Sequence, residues 1–268
     1  MTGQAEPTAQ PQPTGQAELI VERDGAVLVI SINRPAQKNA MTLAAAELMA
    51  AALDELDADP ALAAGVLTGA GGTFCAGMDL KRFAAGERPS VPGRGFGGLV
   101  ERPPAKPLIA AVEGYALAGG FELVLACDLV IAGQSARFGL PEVRRGLVAR
   151  GGGLFRLPRL VPRAVAMELL LTGDFIEADR AAAMGLVNRV VADGAAVAEA
   201  VALAQRLALN APLALSATKR VVVESADWPL GEAFARQTPI TDPVFASEDA
   251  REGAIAFAEK RAPAWRGR

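Results

Sequence analysis

Histidine is absent from the 268 residues. That removes a Ser-His-Asp triad, a Cys-His pair and any histidine-ligated metal centre. Cysteine is scarce: Cys75 and Cys127 lie far apart and form no C-x-x-C pair. No disulfide framework, thiolate zinc site or other metal site is expected, and a reducing cytoplasm is the expected location. Charge of one sign is missing too. Lys and Arg number 27 against 30 Asp and Glu, a net charge of -3, which leaves no electrostatic footprint for nucleic acid or an anionic membrane. No apolar run approaches the roughly 18 residues a membrane span needs. The most apolar stretch, Leu108 to Ala132, is broken by Glu113, Glu122 and Asp128. Acid–base chemistry therefore falls to carboxylates, lysine, cysteine or the single tyrosine, Tyr115.

Apolar residues, many of them alanine, make up 51% of the chain. That suffices for one large core, or a core with an appended helical segment. Met1 to Ala17 is rich in Gln, Pro, Thr and Gly, lacks the basic and apolar regions of a signal peptide, and is expected to be a disordered tail over 1–17. Asp24-Gly25 predicts a hairpin turn between strands at Leu19–Arg23 and Ala26–Ile32. A helix is expected from Thr42, as cap, to Asp57. Short strands follow at Gly65–Thr68, Leu108–Val112 and Asp128–Ala132, with a helix over Ala118–Cys127. Gly86 to Pro104, rich in Gly and Pro, reads as a mobile loop over a site. From Arg163 to Ala258 the pattern is mostly helical, with a strand near Val187–Val191. This alternation predicts an α/β core over 18–200 and a helical assembly region over 201–268.

The glycine run Gly69-Ala70-Gly71-Gly72 is not a dinucleotide fingerprint, because Phe74 stands where its last glycine belongs, and no Gly-Lys-Ser/Thr follows. In Ala76-Gly77-Met78-Asp79, Gly77 allows close backbone approach to a ligand and the next N–H can face outward, although Asp79 also suits an ordinary helix cap. Gly119-Gly120 opens an apolar helix, where unpaired N–H groups and the helix dipole can stabilise an oxyanion. Glu122 sits one turn into that helix, where a carboxylate is expensive unless paired or functional. Glu142 follows Pro141 at the start of another helical turn. Two N–H donors suit a reaction through an enolate, such as a thioester enolate, and two carboxylates suit delivery of water and a proton.

These residues resemble the crotonase (enoyl-CoA hydratase/isomerase) superfamily. Asn33-Arg34-Pro35 with Asn39-Ala40-Met41, Thr73 to Asp79, Gly114 to Asp128, Phe138 to Gly153, and Ser247-Glu248-Asp249 with Glu252-Gly253 and Phe257 to Arg261 occur in family order. The resemblance implies a spiral of ββα turns with a C-terminal helical trimerisation region, trimers often pairing into hexamers. It implies an acyl-CoA substrate, with coenzyme A as part of it and no separate cofactor. The thioester carbonyl would lie between the N–H groups of Met78 and Gly119. Ala76, Gly77 and Asp79 with the Gln37-Lys38 loop would meet the adenine end, and Lys260 a CoA phosphate. Glu122 and Glu142 match the two acids of hydratases, which implies reversible addition of water to a 2-enoyl-CoA. Isomerisation, thioester hydrolysis or acyl-CoA binding without turnover remain the alternatives. Arg144 to Gly153 departs from the usual fatty-acyl pattern toward crotonobetainyl-CoA hydratases. Together with Arg88, Arg94 and Arg102 in the loop, this predicts an acyl group that is short, branched or polar.

Overall fold

The computed structural model describes residues 17–268; the expected tail lies outside them except for Ala17. The chain begins with the predicted hairpin, β1 (Leu19–Asp24) and β2 (Val27–Ile32), paired antiparallel around Gly25. Helix α1 (Leu43–Ala58) starts where the Thr42 hydroxyl accepts the Ala45 N–H at 3.1 Å. Strand β3 (Ala64–Gly69) and the short α2 (Leu80–Ala84) follow. The segment expected to be a mobile loop instead contains a small hairpin, β4 (Ser90–Val91) with β5 (Gly95–Phe96). Next come β6 (Leu108–Val112), β7 (Tyr115–Leu117), α3 (Gly119–Leu125), β8 (Leu129–Gly133) and β9 (Arg137–Gly139). A 3-10 turn over Pro141–Arg145 leads to α4 (Gly153–Leu160) and α5 (Arg163–Thr172). The remainder is β10 (Phe175–Glu177), α6 (Ala178–Ala183), β11 (Arg189–Val191), α7 (Ala196–Leu207), α8 (Pro212–Ser225), α9 (Ala233–Phe245) and α10 (Glu248–Glu259).

Two sheets carry the core. The larger runs β1-β2-β3-β6-β8-β11 and is parallel beyond β2. The smaller runs β10-β9-β7, and an isolated parallel bridge between Cys75 and Ala116 extends it. The expected spiral is present: β6, β7 and α3 form one ββα turn, and β8, β9 and the 3-10 turn form the next. Strands buried on both faces carry apolar residues at successive positions. Val27, Val29, Val66, Ile109, Ala111 and Ile131 face Ala196, Ala200, Leu203 and Ala204 of α7, while Leu28, Ile30, Leu67, Leu108 and Val112 face the main core with α1 and α3.

Helix α7 spans residue 200 and covers one face of the sheet, so core packing continues through it and the helical region beyond starts after Leu207. That region is different in kind. No residue of α8 or α9 is buried, and Phe234, Phe245, Phe257 and Leu230 stand largely exposed. No single helix among the described residues is long and apolar enough to cross a membrane.

Candidate active site

The loop after β3 runs beside β7. Cys75 donates its N–H to Tyr115 O at 2.9 Å, and Leu117 donates to Cys75 O at 3.0 Å. Three residues on, Met78 forms a parallel bridge with Met41, whose N–H donates to Gly77 O at 2.8 Å while the Asp79 N–H donates to Met41 O at 3.1 Å. A parallel bridge uses the groups flanking its central residue, so the Met78 N–H points away from it and has no partner among the described residues. Gly77 has φ +98°, and a Cβ there would lie 2.9 Å from Ala118 Cβ and 3.3 Å from Gly119 N. Only glycine lets the two loops approach so closely.

Ala118 turns the chain into α3 with φ 52° and ψ -128°, a conformation alanine rarely adopts. Its N–H donates to Gly139 O at 2.8 Å, which fastens the turn to β9. Its carbonyl accepts from Phe121 N at 2.9 Å and Glu122 N at 3.1 Å, while the Gly119 N–H has no partner among the described residues. Met78 and Gly119 therefore present two unpaired main-chain donors from adjoining loops, the second at a helix start.

Glu122 is 4% exposed. Its Oε1 accepts the Gly153 N–H at 3.0 Å. Cβ atoms at Gly151 and Gly153 would come within 2.6 Å of Oε2 and 3.2 Å of Oε1 respectively, so this glycine turn is shaped around the carboxylate. Burial pushes Glu122 up to about 7; Gly153 opposes that, and the charge of Glu142 adds to it. Glu142 is also buried, in the 3-10 turn after β9, and its Oε2 has no hydrogen-bond partner. Burial raises it as well, with its own backbone N–H and Arg145 pulling the other way. Both carboxyls are thus raised mainly by burial, and the charge of Glu142 adds to the effect at Glu122. A buried carboxylate oxygen without a partner, as at Glu142 Oε2, is uncommon in folded proteins.

The other expected residues are placed as follows. The Lys38 carbonyl accepts the Ala76 N–H at 3.0 Å, so the Gln37-Lys38 loop and the Ala76-Gly77 segment adjoin. The Lys38 ammonium stands 5.4 Å over the Tyr115 ring. Asp79 caps α2, accepting from Lys81 N at 3.1 Å and Arg82 N at 3.3 Å, and pairs with Arg34 at 3.1 Å. Burial works against that charge, but the Arg82 N–H and Arg34 hold it below the usual carboxylate range. Lys260 closes α10 with φ 56° and makes no ion pair with any of these groups.

Further residues of the motifs and of the glycine-rich loop also shape the site. Asn39 is fully buried and stitches two loops together, donating to Ala70 O at 2.8 Å and Thr73 O at 2.5 Å while accepting from Arg34 N at 2.8 Å. The Phe96 ring packs on Gly119, where a Cβ would lie 2.3 Å from Cζ. Arg94, expected to line the acyl pocket, is buried and pairs with Asp54 on α1, and it donates to Arg102 O at 3.0 Å. Arg88 lies 4.0 Å over the Phe83 ring. No group of three His, Cys, Asp or Glu side chains among the described residues is placed to hold a metal ion.

The α/β spiral thus brings two unpaired main-chain donors, on adjoining loops, into one region of the fold with the buried Glu122 and Glu142. The chain belongs to the enoyl-CoA hydratase/isomerase family, whose pattern it matches over residues 22–268. It is 45% identical over 262 residues to an enoyl-CoA hydratase of Mycobacterium tuberculosis, covering 94% of this chain and 97% of the relative. It is 42% identical to a carnitinyl-CoA dehydratase of Salmonella typhi, covering 93% and 98%. Among solved structures, an enoyl-CoA hydratase from Mycobacterium marinum superposes with a TM-score of 0.93 at 58% identity, covering 94% and 100%. A carnitinyl-CoA hydratase from Mycobacterium avium gives 0.77 at 47%, covering 95% and 100%.

Proposed function

We propose that the protein adds water reversibly to a 2-enoyl-CoA thioester, giving a 3-hydroxyacyl-CoA. The observation that carries this reading is the pair Glu122 and Glu142, both buried and both raised, beside the unpaired N–H groups of Met78 and Gly119. The two N–H groups polarise the thioester carbonyl and hold the negative charge that develops on its oxygen. One such donor contributes about 3–4 kcal/mol in acyl-transfer sites. Glu122 in its ionised form takes a proton from water as the oxygen adds to C3. Glu142 in its protonated form delivers a proton to C2. One hydroxyl and one proton are added, and the reverse direction exchanges the two roles.

Relatives named as enoyl-CoA hydratases and as carnitinyl-CoA dehydratases support the reaction and leave a choice of acyl group. The proposal takes that group as short, branched or polar. It places CoA along Ala76, Gly77 and the Gln37-Lys38 loop, with Asp79 as the cap that fixes this segment and Lys260 of a neighbouring subunit at a phosphate. It needs no metal and no cofactor besides the CoA of the substrate. It locates the enzyme in the cytoplasm, with Cys75 and Cys127 both free thiols. It assembles the chain as a trimer or a dimer of trimers through α8, α9 and α10, whose exposed Phe234, Phe245 and Phe257 suit burial against another copy.

The test is product analysis with a panel of 2-enoyl-CoA, 3-enoyl-CoA and saturated acyl-CoA thioesters. Conversion of 2-enoyl thioesters to 3-hydroxyacyl-CoA supports the reading. Migration of the double bond alone, release of free CoA alone, or binding without product overturns it.

A further inference from the structure

Arg156 lies one turn into α4, half-buried, and its guanidinium is shared between two walls of the site. Nη2 donates to Val100 O at 2.6 Å and Nη1 donates to Gly151 O at 3.3 Å. Gly151 belongs to the turn folded around the Glu122 carboxylate. Val100 belongs to the segment that sets Phe96 on Gly119. Gly152, at φ +110°, makes the bridge possible, because a Cβ there would lie 2.2 Å from Nη1. Two carbonyls on separate segments suit the planar fork of an arginine and no other cation.

The charged groups around Arg156 leave it with one role open. From α3 it faces Glu122 and, at the helix end, Cys127, whose thiol burial pushes well above its usual range. On the opposite side, it lines a cavity of about 570 Å³ together with Asp128, Lys219, Arg220 and Glu224. Asp128 pairs with Lys219 at 2.6 Å, and Glu224 pairs with Arg220 at 2.7 Å. Among the described residues no carboxylate forms an ion pair with Arg156. Burial lowers its own pKa, and Glu122 is the first charge that opposes this.

We propose that Arg156 is a positioning residue for the hydration site, locking the turn that holds Glu122 and the segment that carries Phe96 into one frame through the carbonyls of Gly151 and Val100. The inference rests on the hydratase reading of the Glu122 and Glu142 pair. Without the bridge, the carboxylate and the wall over Gly119 move independently, so the transition state loses more than the ground state does. Removing the cation also favours the protonated form of Glu122, which moves the acid limb of the pH profile upward.

The experiment compares wild type, Arg156→Gln and Arg156→Lys as full-length proteins, each checked for fold by thermal melting and for oligomeric mass. It reads kcat and KM across pH with the best 2-enoyl-CoA. For Arg156→Gln, kcat is expected to fall at least about tenfold with KM within threefold, and the acid limb to move up by about half a unit. Arg156→Lys keeps the charge but not the fork, so its limbs stay near wild type while kcat remains low. A folded Arg156→Gln with wild-type limbs and wild-type kcat overturns the proposal, as does a loss of kcat matched in full by Arg156→Lys together with an unmoved Arg156→Gln limb. Carbon NMR of labelled glutamate carboxyls, assigned with Glu122→Gln, reads the same shift without turnover. If the wild type hydrates nothing yet the Glu122 titration moves up in Arg156→Gln, the hydratase reading fails and the positioning of Glu122 stands. If the titration does not move, the positioning role fails.

Discussion

A methyl group added to Gly119 would meet the Phe96 ring, with Cβ 2.3 Å from Cζ and 2.5 Å from Cε1. Gly119, the proposed oxyanion donor, and Phe96 thus share one volume. Gly119→Ala forces one of them to move. Because loss of a single oxyanion donor lowers turnover by about 10²–10³-fold, Gly119→Ala is expected to lower kcat/KM by about 10²-fold. Phe96→Ala on that background removes the obstruction and is expected to recover at least part of the loss. Steady-state kinetics of the two single variants and the double variant decide this; equal activity in Gly119→Ala and in the double variant shows that the two residues do not compete for space.

On the proposed mechanism, the two carboxyls are expected to set the pH dependence of activity. The proposed hydration needs Glu122 ionised and Glu142 protonated, so kcat/KM is expected to fall in acid as Glu122 takes up a proton below its value of about 7, and to fall again in base as Glu142, itself raised by burial, loses its proton. Glu122→Gln and Glu142→Gln are each expected to lower turnover by orders of magnitude while CoA affinity stays within a few-fold. A variant that hydrates at the wild-type rate shows its residue is not one of the pair.

Stability should move the opposite way from activity. Glu122 is raised in the folded state, so its favourable contribution is full below the unfolded value near 4.5 and is lost as pH rises through about 7. Glu122→Gln removes the buried charge and is expected to stabilise the protein at pH 8 by on the order of 2 kcal/mol, with little gain at pH 4.5. Melting curves at the two pH values measure it. An unchanged difference between variant and wild type across that range means the carboxylate is not held in a desolvating site.

Acyl preference is expected to be set by Phe96 rather than by the arginines of its segment. Arg94 is turned into the fold toward Asp54, and Arg88 covers Phe83. The wild type should prefer short or polar 2-enoyl-CoA substrates, and Phe96→Ala should shift relative kcat/KM toward longer chains, since each methylene newly buried contributes about 0.8 kcal/mol. A chain-length series on both proteins tests this. A steady rise with length in the wild type rules out Phe96 as the limiting wall.

Light scattering at micromolar concentration is expected to give the mass of three or six chains. Leu230, Phe234, Phe245 and Phe257 are each at least 78% exposed, more apolar surface than a lone helical tail keeps in water. A monomeric mass would leave those side chains without the covering that their exposure calls for.

The sequence makes some of this legible because the signals are local. Asp24-Gly25 is a turn wherever it falls between alternating apolar residues, and Thr42 has the hydroxyl a helix start needs. Glu122 stands out because a carboxylate amid Phe121, Leu123, Val124 and Leu125 is costly to bury unless it is paired or reactive. The smaller sheet leaves no such mark, since β7, β9 and β10 have three residues each and a period cannot show in three positions. Phe96 is hidden by its glycines: Gly93, Gly95, Gly97 and Gly98 suggest a bare loop, yet the last three bring the backbone against Glu101, Leu123 and Ala46. Arg156 lies in a stretch with five other arginines from Arg144 to Arg163, and composition does not say which one turns inward. Helix α7 reads like the tail because Ala196, Ala200 and Ala204 match its alanine-rich pattern, whereas those small side chains are what let it lie close to the sheet.

The donors at Met78 and Gly119 belong to the main chain, and a peptide N–H has no proton to lose in the biological range and no sulfur or ring to oxidise. On the proposed reading, the electrophilic half of the site therefore answers only to the shape of the backbone. Its identity is carried by the turns at Gly77 and Ala118 and not by the thioether of Met78, so most side chains could replace that methionine without silencing the donor. Sensitivity to acid and base is confined to the opposite half, where Glu122 and Glu142 sit.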